Sequence, residues 1–263
     1  MNEIDDELKS SFQTQETLEP NFWPLNKKLR PSIRKRLIQI AKDFYDSLEI
    51  DADLKDVTFT GSLANYNWSK HSDIDLHLIV DYNDVGGDIE LVKDYFNAKK
   101  SLWNRTHDIF IDGFEVEVYV QDENEPHTST GVYSIMEDEW LIEPDRVEAK
   151  LEWDDITKKT ESLMDQIDRA ALLFKQKKYE DALNYIAKLK EKIRKFRKAG
   201  LDSVGEFSSE NIAFKVLRRN NYLEKLNTLK HMAYDKLMSK TSDGLITISI
   251  SESVKKWKEF IKK

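Results

Sequence analysis

The sequence predicts an α+β protein in two parts. A mixed β-sheet module flanked by helices spans residues 1–150, and a helical module spans residues 151–263. Three observations carry this. Short β-branched and apolar runs lie between two helical stripes in the first part. Beyond residue 151 the apolar positions recur almost entirely at three-to-four spacing. Charged residues make up 34% of the chain, above the quarter usual in soluble proteins, which favours long solvated helices.

Residues 1–20 lack periodic apolar positions and read as a loosely attached arm. Phe22 and Trp23, followed by Pro24, read as a segment clamped on the surface. Pro31 or Ser32 suits a helix start, and Ile33, Leu37, Ile40, Ala41, Phe44 and Leu48 form one stripe. Residues 57–60 read as a strand ending at Gly61, and residues 74–80 as a second. A loop at 84–88 precedes a helix marked by Leu91, Val92, Tyr95, Phe96, Leu102 and Trp103. Residues 107–111 and 114–121 read as strands joined by Asp112-Gly113, a pair suited to a type I′ turn. A polar loop at 122–131 leads to one more strand within 132–142.

The second part opens with stripes at Ile156, Leu163, Ile167, Ala170, Phe174 and at Tyr179, Ala182, Ile186, Leu189, Ile193, Phe196. Lys177-Lys178 joins them, and Gly200 is expected to stop the second helix. Ser208 or Ser209 can cap a further helix, with a break at Asn220-Asn221 before the next. In the tail, 245–251 alternates like a strand and 254–261 reads as a short helix.

Lysine and arginine number 41 against 49 acids, a net charge of −8, so the global field does not attract polyanions. Any phosphate contact needs a local basic patch or metal ions. The chain has no cysteine, which excludes disulfides, thiolate catalysis and cysteine-ligated zinc. The first 20 residues are polar and acidic, unlike a signal peptide, and no apolar run approaches the roughly 20 residues that span a bilayer. The expectation is a soluble cytoplasmic protein without a membrane partner.

The segment 59–81 carries the chemistry. Asp73 and Asp75 sit two apart at the mouth of a strand, so both carboxylates share a face. Ile74, Leu76, Leu78 and Val80 take the other face. Paired carboxylates repel unless a cation lies between them, and a hard ion such as Mg²⁺ favours carboxylate and phosphate oxygens. Gly61 ends the preceding strand and lets the backbone approach a phosphate, while Ser62 offers an N–H and a hydroxyl. Residues 63–65 are expected to open a short helix. On the strand at 114–121, Glu115, Glu117 and Tyr119 share one face. Parity selects both glutamates without choosing between them; Glu117 is favoured because it lies mid-strand.

Strand, Gly61-Ser62, spacer, Ser72-Asp73-Ile74-Asp75 and apolar strand together resemble the signature of the polymerase-β nucleotidyltransferase superfamily. The resemblance implies a nucleotidyltransferase-like sheet and an enzyme that moves a nucleoside monophosphate from an NTP, ATP among them, to an acceptor hydroxyl. It implies Mg²⁺ or Mn²⁺ held by Asp73, Asp75 and a third carboxylate, here Glu117 in place of the more usual Asp. Gly61, Ser62 and Ser72 are its phosphate-binding positions. Lys215, Arg218 and Arg219 on the helix after Ser208 are candidates to hold the triphosphate if that helix faces the cleft; a helical domain often does this in related two-module enzymes, which points to no particular residue here.

Other residues are better read as structural. His77 continues the acidic face as a packed histidine, Lys70 and His71 as loop residues, and 127–131 as a surface loop. Trp68, Tyr66 and Tyr119 read as packing. The run at 186–200, with Lys188, Lys190, Lys192, Arg194, Lys195, Arg197 and Lys198 against Glu191, is a solvated face or a nucleic-acid track. The acceptor stays open among nucleic acid, a small molecule, a nucleotide and a protein. The alternatives to a simple transferase are a cyclic or linear oligonucleotide synthase, a catalytically inactive nucleotide-binding protein, or a helical interaction module with an incidental acidic turn.

Overall fold

The computed structural model describes residues 6–127 and 129–239. It is α+β, built on six strands: β1 (Leu54–Thr60), β2 (Ile74–Val80), β3 (Phe110–Ile111), β4 (Phe114–Asp122), β5 (Val132–Ser134) and β6 (Glu139–Ile142). They lie in the order β3-β4-β2-β1-β5-β6. β2 and β4 pair in parallel, and every other pair is antiparallel. A parallel pair needs a long crossover. Residues 82–113 supply it through α3 (Tyr82–Val85), α4 (Ile89–Thr106) and β3. The turn at 112–113 has φ 50 and 88, the two positive values that a type I′ hairpin requires.

Alternation divides the sheet into an apolar and a polar face. Phe59, Ile74, Leu76, Leu78, Val116, Val118 and Val120 are buried in one hydrophobic cluster. α2 (Pro31–Leu48) and α4 cover it with Leu37, Phe44, Leu48, Val92 and Phe96. Asp75, His77, Glu117, Tyr119 and Gln121 occupy the opposite face by parity. A second unit follows, of four helices: α5 (Trp153–Lys175), α6 (Tyr179–Ser203), α7 (Ser209–Arg219) and α8 (Tyr222–Met238), of which α6 and α7 face that side of the sheet across a cleft. These bury their own cluster around Ile156, Ile167, Ile186, Val216 and Leu217. Ser208 caps α7, its hydroxyl accepting from the Asn211 N–H at 3.3 Å.

Several expectations need correction. Residues 6–20 are not a loose arm: α1 (Asp6–Ser10) leads to Phe12 and Leu18, which are buried in different clusters. Single apolar anchors in an extended segment leave no periodicity to read. Phe22 and Trp23 are core rather than surface, and the Trp23 indole N–H donates to the Leu63 carbonyl at 2.7 Å. The loop at 84–88 begins as a helical turn, α3, capped by Asp81. Residues 132–142 form two strands, not one, around a turn at 135–138. Gly200 does not stop α6, which runs on to Ser203. A Cβ there would lie 2.6 Å from the Glu210 Cβ and from the Ser208 Oγ, so this glycine serves close approach to the start of α7. The strand and helix expected at 245–251 and 254–261 lie outside the described residues.

Candidate active site

The acidic residues meet because of strand register. β1 and β2 are adjacent and antiparallel, with Thr60 opposite Asp75, so Gly61 and Asp73 emerge side by side. The parallel register of β2 and β4 sets Asp75 opposite Glu117. Asp73, Asp75 and Glu117 each offer a carboxylate oxygen, all within 4.8 Å of one another. Glu115 sits one pleat away, opposite Phe110 of β3, and is outside this trio, as are Asp108 and Asp112. Three hard oxygen donors at this spacing suit a divalent cation such as Mg²⁺ or Mn²⁺.

Gly61 has φ 77 and ψ −161. A Cβ on it would stand 1.7 Å from the Asp75 Oδ2, so the backbone fills the place any side chain would take. The Ser62 hydroxyl donates to the Ser72 Oγ at 2.7 Å, and Ser72 Oγ accepts from the Ser69 N–H at 3.0 Å. Ser72 thus ties the Gly-Ser turn to the turn that delivers Asp73. The helix expected at 63–65 is a single 3-10 turn, Ser62–Ala64, with Asn65 extended. It is too short to carry a helix dipole, so any pull on an anion here rests on local N–H and hydroxyl groups.

The acids are costly without a cation. Burial, then Asp73, then Glu117 push the Asp75 carboxyl up to about 8, against smaller opposing effects of Arg218 and Lys215. Glu117 is exposed at its outer edge, yet its carboxyl is also raised, first by desolvation from the cleft walls and then by Asp73 and Glu115. A carboxyl raised by folding binds a proton in the native chain that the unfolded chain has lost. Its stabilising contribution is full below about pH 4 and falls as pH rises toward 8. In chelator, the melting temperature of the native protein relative to Asp75→Asn should therefore fall between pH 5 and pH 8. Mn²⁺ should restore more stability at pH 8 than at pH 5. Parallel pH curves for the two proteins would contradict this account of the acids.

The trio opens into a cleft of about 750 Å³ between the sheet and the helical unit, within the range of small-molecule sites. Gly61, Ser62, Ser72, Asp73, Asp75 and Glu117 line one wall; Lys215, Arg218 and Arg219 of α7 and Arg197 of α6 line the other. Burial lowers the Lys215 ammonium below its ordinary range, with Glu206 opposing that shift and Arg219, Arg218 and Arg197 adding to it. Neither the Lys215 ammonium nor the Arg218 guanidinium donates a hydrogen bond or forms an ion pair to a described residue. Arg219 differs. Its guanidinium lies 3.8 Å from the Phe12 ring centroid and donates to the hydroxyls of Ser11 and, at 3.2 Å, Ser69. It braces the serine turn, with two of its five N–H groups committed there.

Of the basic run on α6, Arg197 alone lines the cleft. Lys190 donates to Asn227 and Lys192 to Gln166, while Arg194 and Lys195 pair with Glu191 on an exposed face. The run is mostly solvated helix surface. His77 is packed as expected: Gln121 Oε1 lies 2.8 Å from Nδ1, and burial lowers the imidazole pKa. Trp68 donates to the Thr17 carbonyl. The loop expected to be plain surface is not: His127, Ser129 and Thr130 line the cleft, and the Asn65 amide donates to Thr130.

Glu206, Asn211 and Phe12 line the cleft without having been singled out in the sequence, and Arg197 lines it as one member of the basic run. Glu206 receives the Asn67 amide, and burial raises its carboxyl. A hint was present in Ser208 as a cap, since it fixes where α7 begins. Comparison with known protein families, curated proteins and solved structures finds no match for this chain. No helix among the described residues is long and apolar enough to cross a membrane.

Proposed function

We propose that this protein is a metal-dependent nucleotidyltransferase of the polymerase-β type, moving a nucleoside monophosphate from an NTP to an acceptor hydroxyl with release of pyrophosphate. The observation that carries the reading is the convergence of Asp73, Asp75 and Glu117 beside Gly61-Ser62, facing uncommitted cations across one cleft. Gly61 and Asp73 on neighbouring strands count against an incidental acidic turn.

Asp73, Asp75 and Glu117 are the residues that would hold Mg²⁺ or Mn²⁺. When bound, such ions supply charge neutralisation on phosphate oxygens and a lowered pKa for the attacking hydroxyl. Ser62, oriented by Ser72, and the backbone at Gly61 receive phosphate oxygens. Lys215 and Arg218 hold the far end of the triphosphate from α7. Ser62→Ala should weaken NTP use by about tenfold without abolishing it, because backbone N–H groups remain. A nucleotide trapped covalently on Ser62, with complete loss in the variant, would contradict the role.

The two glutamates differ in strand register, Glu117 lying opposite Asp75 and Glu115 opposite Phe110. Glu117→Gln should lower the turnover of NTP by about 100-fold or more, and Glu115→Gln by far less. Steady-state kinetics with Mn²⁺ on both variants tests this; equal and negligible effects would place the third ligand elsewhere. The overall reading is tested by incubating the protein with each labelled NTP and Mg²⁺ or Mn²⁺ and weighing every product, including the protein itself. Cyclic or linear oligonucleotides would identify a synthase using the same site.

A further inference from the structure

A second, smaller cavity of about 120 Å³ adjoins the acidic trio, lined by Asp75, His77, Lys100, Glu117, Val118 and Tyr119. It is well below the roughly 300 Å³ at which whole-ligand pockets begin, so it fits a fragment of a ligand. Lys100 of α4 has no part in the large cleft, whose cations come from α6 and α7. Its ammonium lies 4.7 Å over the Tyr119 ring and forms no ion pair with a described residue. The carboxylates of Asp75 and Glu117 therefore lie between two separate sources of positive charge, one on α7 and one on α4.

A nucleotide needs only one of them. The triphosphate is matched by the α7 group, which faces Gly61 and Ser62 across the larger space. We infer that the small cavity between β4 and α4 is an acceptor subsite, and that the acceptor is a small hydroxyl compound bearing one anionic group, phosphate or carboxylate, received by Lys100. The inference rests on the nucleotidyltransferase reading. The acceptor's oxygen bonds to the α-phosphorus, the bond to the α,β-bridging oxygen breaks, pyrophosphate leaves, and the hydroxyl proton passes to solvent. A nucleic-acid acceptor is disfavoured because most of the α6 basic run lies off the cleft, so among the described residues no cationic track leads from it to the subsite.

Two measurements test this. The first is titration of the intact protein, in Mg²⁺, with inorganic phosphate, followed by calorimetry and by the ring signals of Tyr119. The binding event that shifts the Tyr119 ring signals should be weakened about tenfold or more by Lys100→Gln and left unchanged by Lys190→Gln, whose ammonium donates to Asn227 away from both cavities. Phosphate binding in Lys100→Gln indistinguishable from native would overturn the inference. The second is nucleotide transfer to matched acceptors: glycerol against glycerol 3-phosphate and glycerate, adenosine against its 5′-monophosphate, and an RNA oligonucleotide. The anionic small acceptors should be preferred by about tenfold, with phosphate and carboxylate distinguished by their separate arms, and Lys100→Gln should remove the preference by raising their KM. Equal use of the neutral members, or transfer to RNA alone, would overturn the inference while leaving the transferase reading standing. Phosphate binding through Lys100 without NTP turnover under any condition would instead remove the transferase reading, and the acceptor role with it.

Discussion

Asp75→Asn should abolish nucleotide transfer and yet make the metal-free protein more stable. The two effects have one cause. The Asp75 carboxyl is pushed up to about 8 by burial and by its acidic neighbours, so at pH 7 folding forces it to carry a proton. An aspartate that ordinarily titrates near pH 4 takes up a proton at pH 7 at a cost on the order of 4 kcal/mol, about 1.4 kcal/mol for each pH step. Asparagine removes the cost and removes a ligand oxygen. Loss of transfer should reach at least about 100-fold, equivalent to roughly 3 kcal/mol of transition-state stabilisation. Thermal unfolding in chelator and single-turnover kinetics in Mn²⁺ check the two halves. Asp73→Asn should share the kinetic loss, and a variant of either that turns over NTP at the native rate would contradict the assignment.

Gly61→Ala should be nearly as damaging, through geometry rather than charge. The added Cβ would meet the Asp75 Oδ2 at 1.7 Å, at a backbone φ of +77. With ψ near 180, as at Gly61 (ψ −161) and Gly86 (ψ 151), positive φ alone costs an alanine about 1–3 kcal/mol. Gly86→Ala isolates that part, because Gly86 has φ +80 and open space where its Cβ would lie. Gly61→Ala should lose more stability than Gly86→Ala, because its clash with Asp75 adds to the backbone cost that the two share. Only Gly61→Ala should displace the Asp75 carboxylate and weaken Mn²⁺ binding by about tenfold or more, read by electron paramagnetic resonance titration. Equal Mn²⁺ affinity in both would mean that the close approach of Gly61 to Asp75 does not shape the site.

The comparison of these positions shows what a sequence can carry. β2 was legible because Asp73 and Asp75 alternate with Ile74, Leu76, Leu78 and Val80, and the same parity narrowed the third acid to Glu115 or Glu117. The choice between them is a matter of parallel register, Asp75 opposite Glu117, which no local pattern encodes. The same holds for residues 6–20. Phe12 and Leu18 are isolated anchors whose burial depends on partners far along the chain, such as Trp153 for Phe12. Gly200 misled for a related reason: a stop signal and a close-packing glycine are the same letter, and only the position of Glu210 distinguishes them. On α7, spacing alone placed Lys215, Arg218 and Arg219 together, but whether each is free or committed is decided by Phe12 and Ser69, from other parts of the chain.

We propose that Asp73, Asp75 and Glu117 form a metal-dependent nucleotide-transfer site. It is tested most directly by mass analysis of intact protein and small-molecule products after incubation with the four NTPs, a mixture of hydroxyl acceptors and Mn²⁺. The account predicts pyrophosphate and a product heavier than one acceptor by a nucleoside monophosphate, both absent with chelator and with Asp73→Asn. Nucleotide transfer that persists unchanged in chelator or in Asp73→Asn, or no transfer to any acceptor by native protein that is folded and binds Mn²⁺, would contradict it.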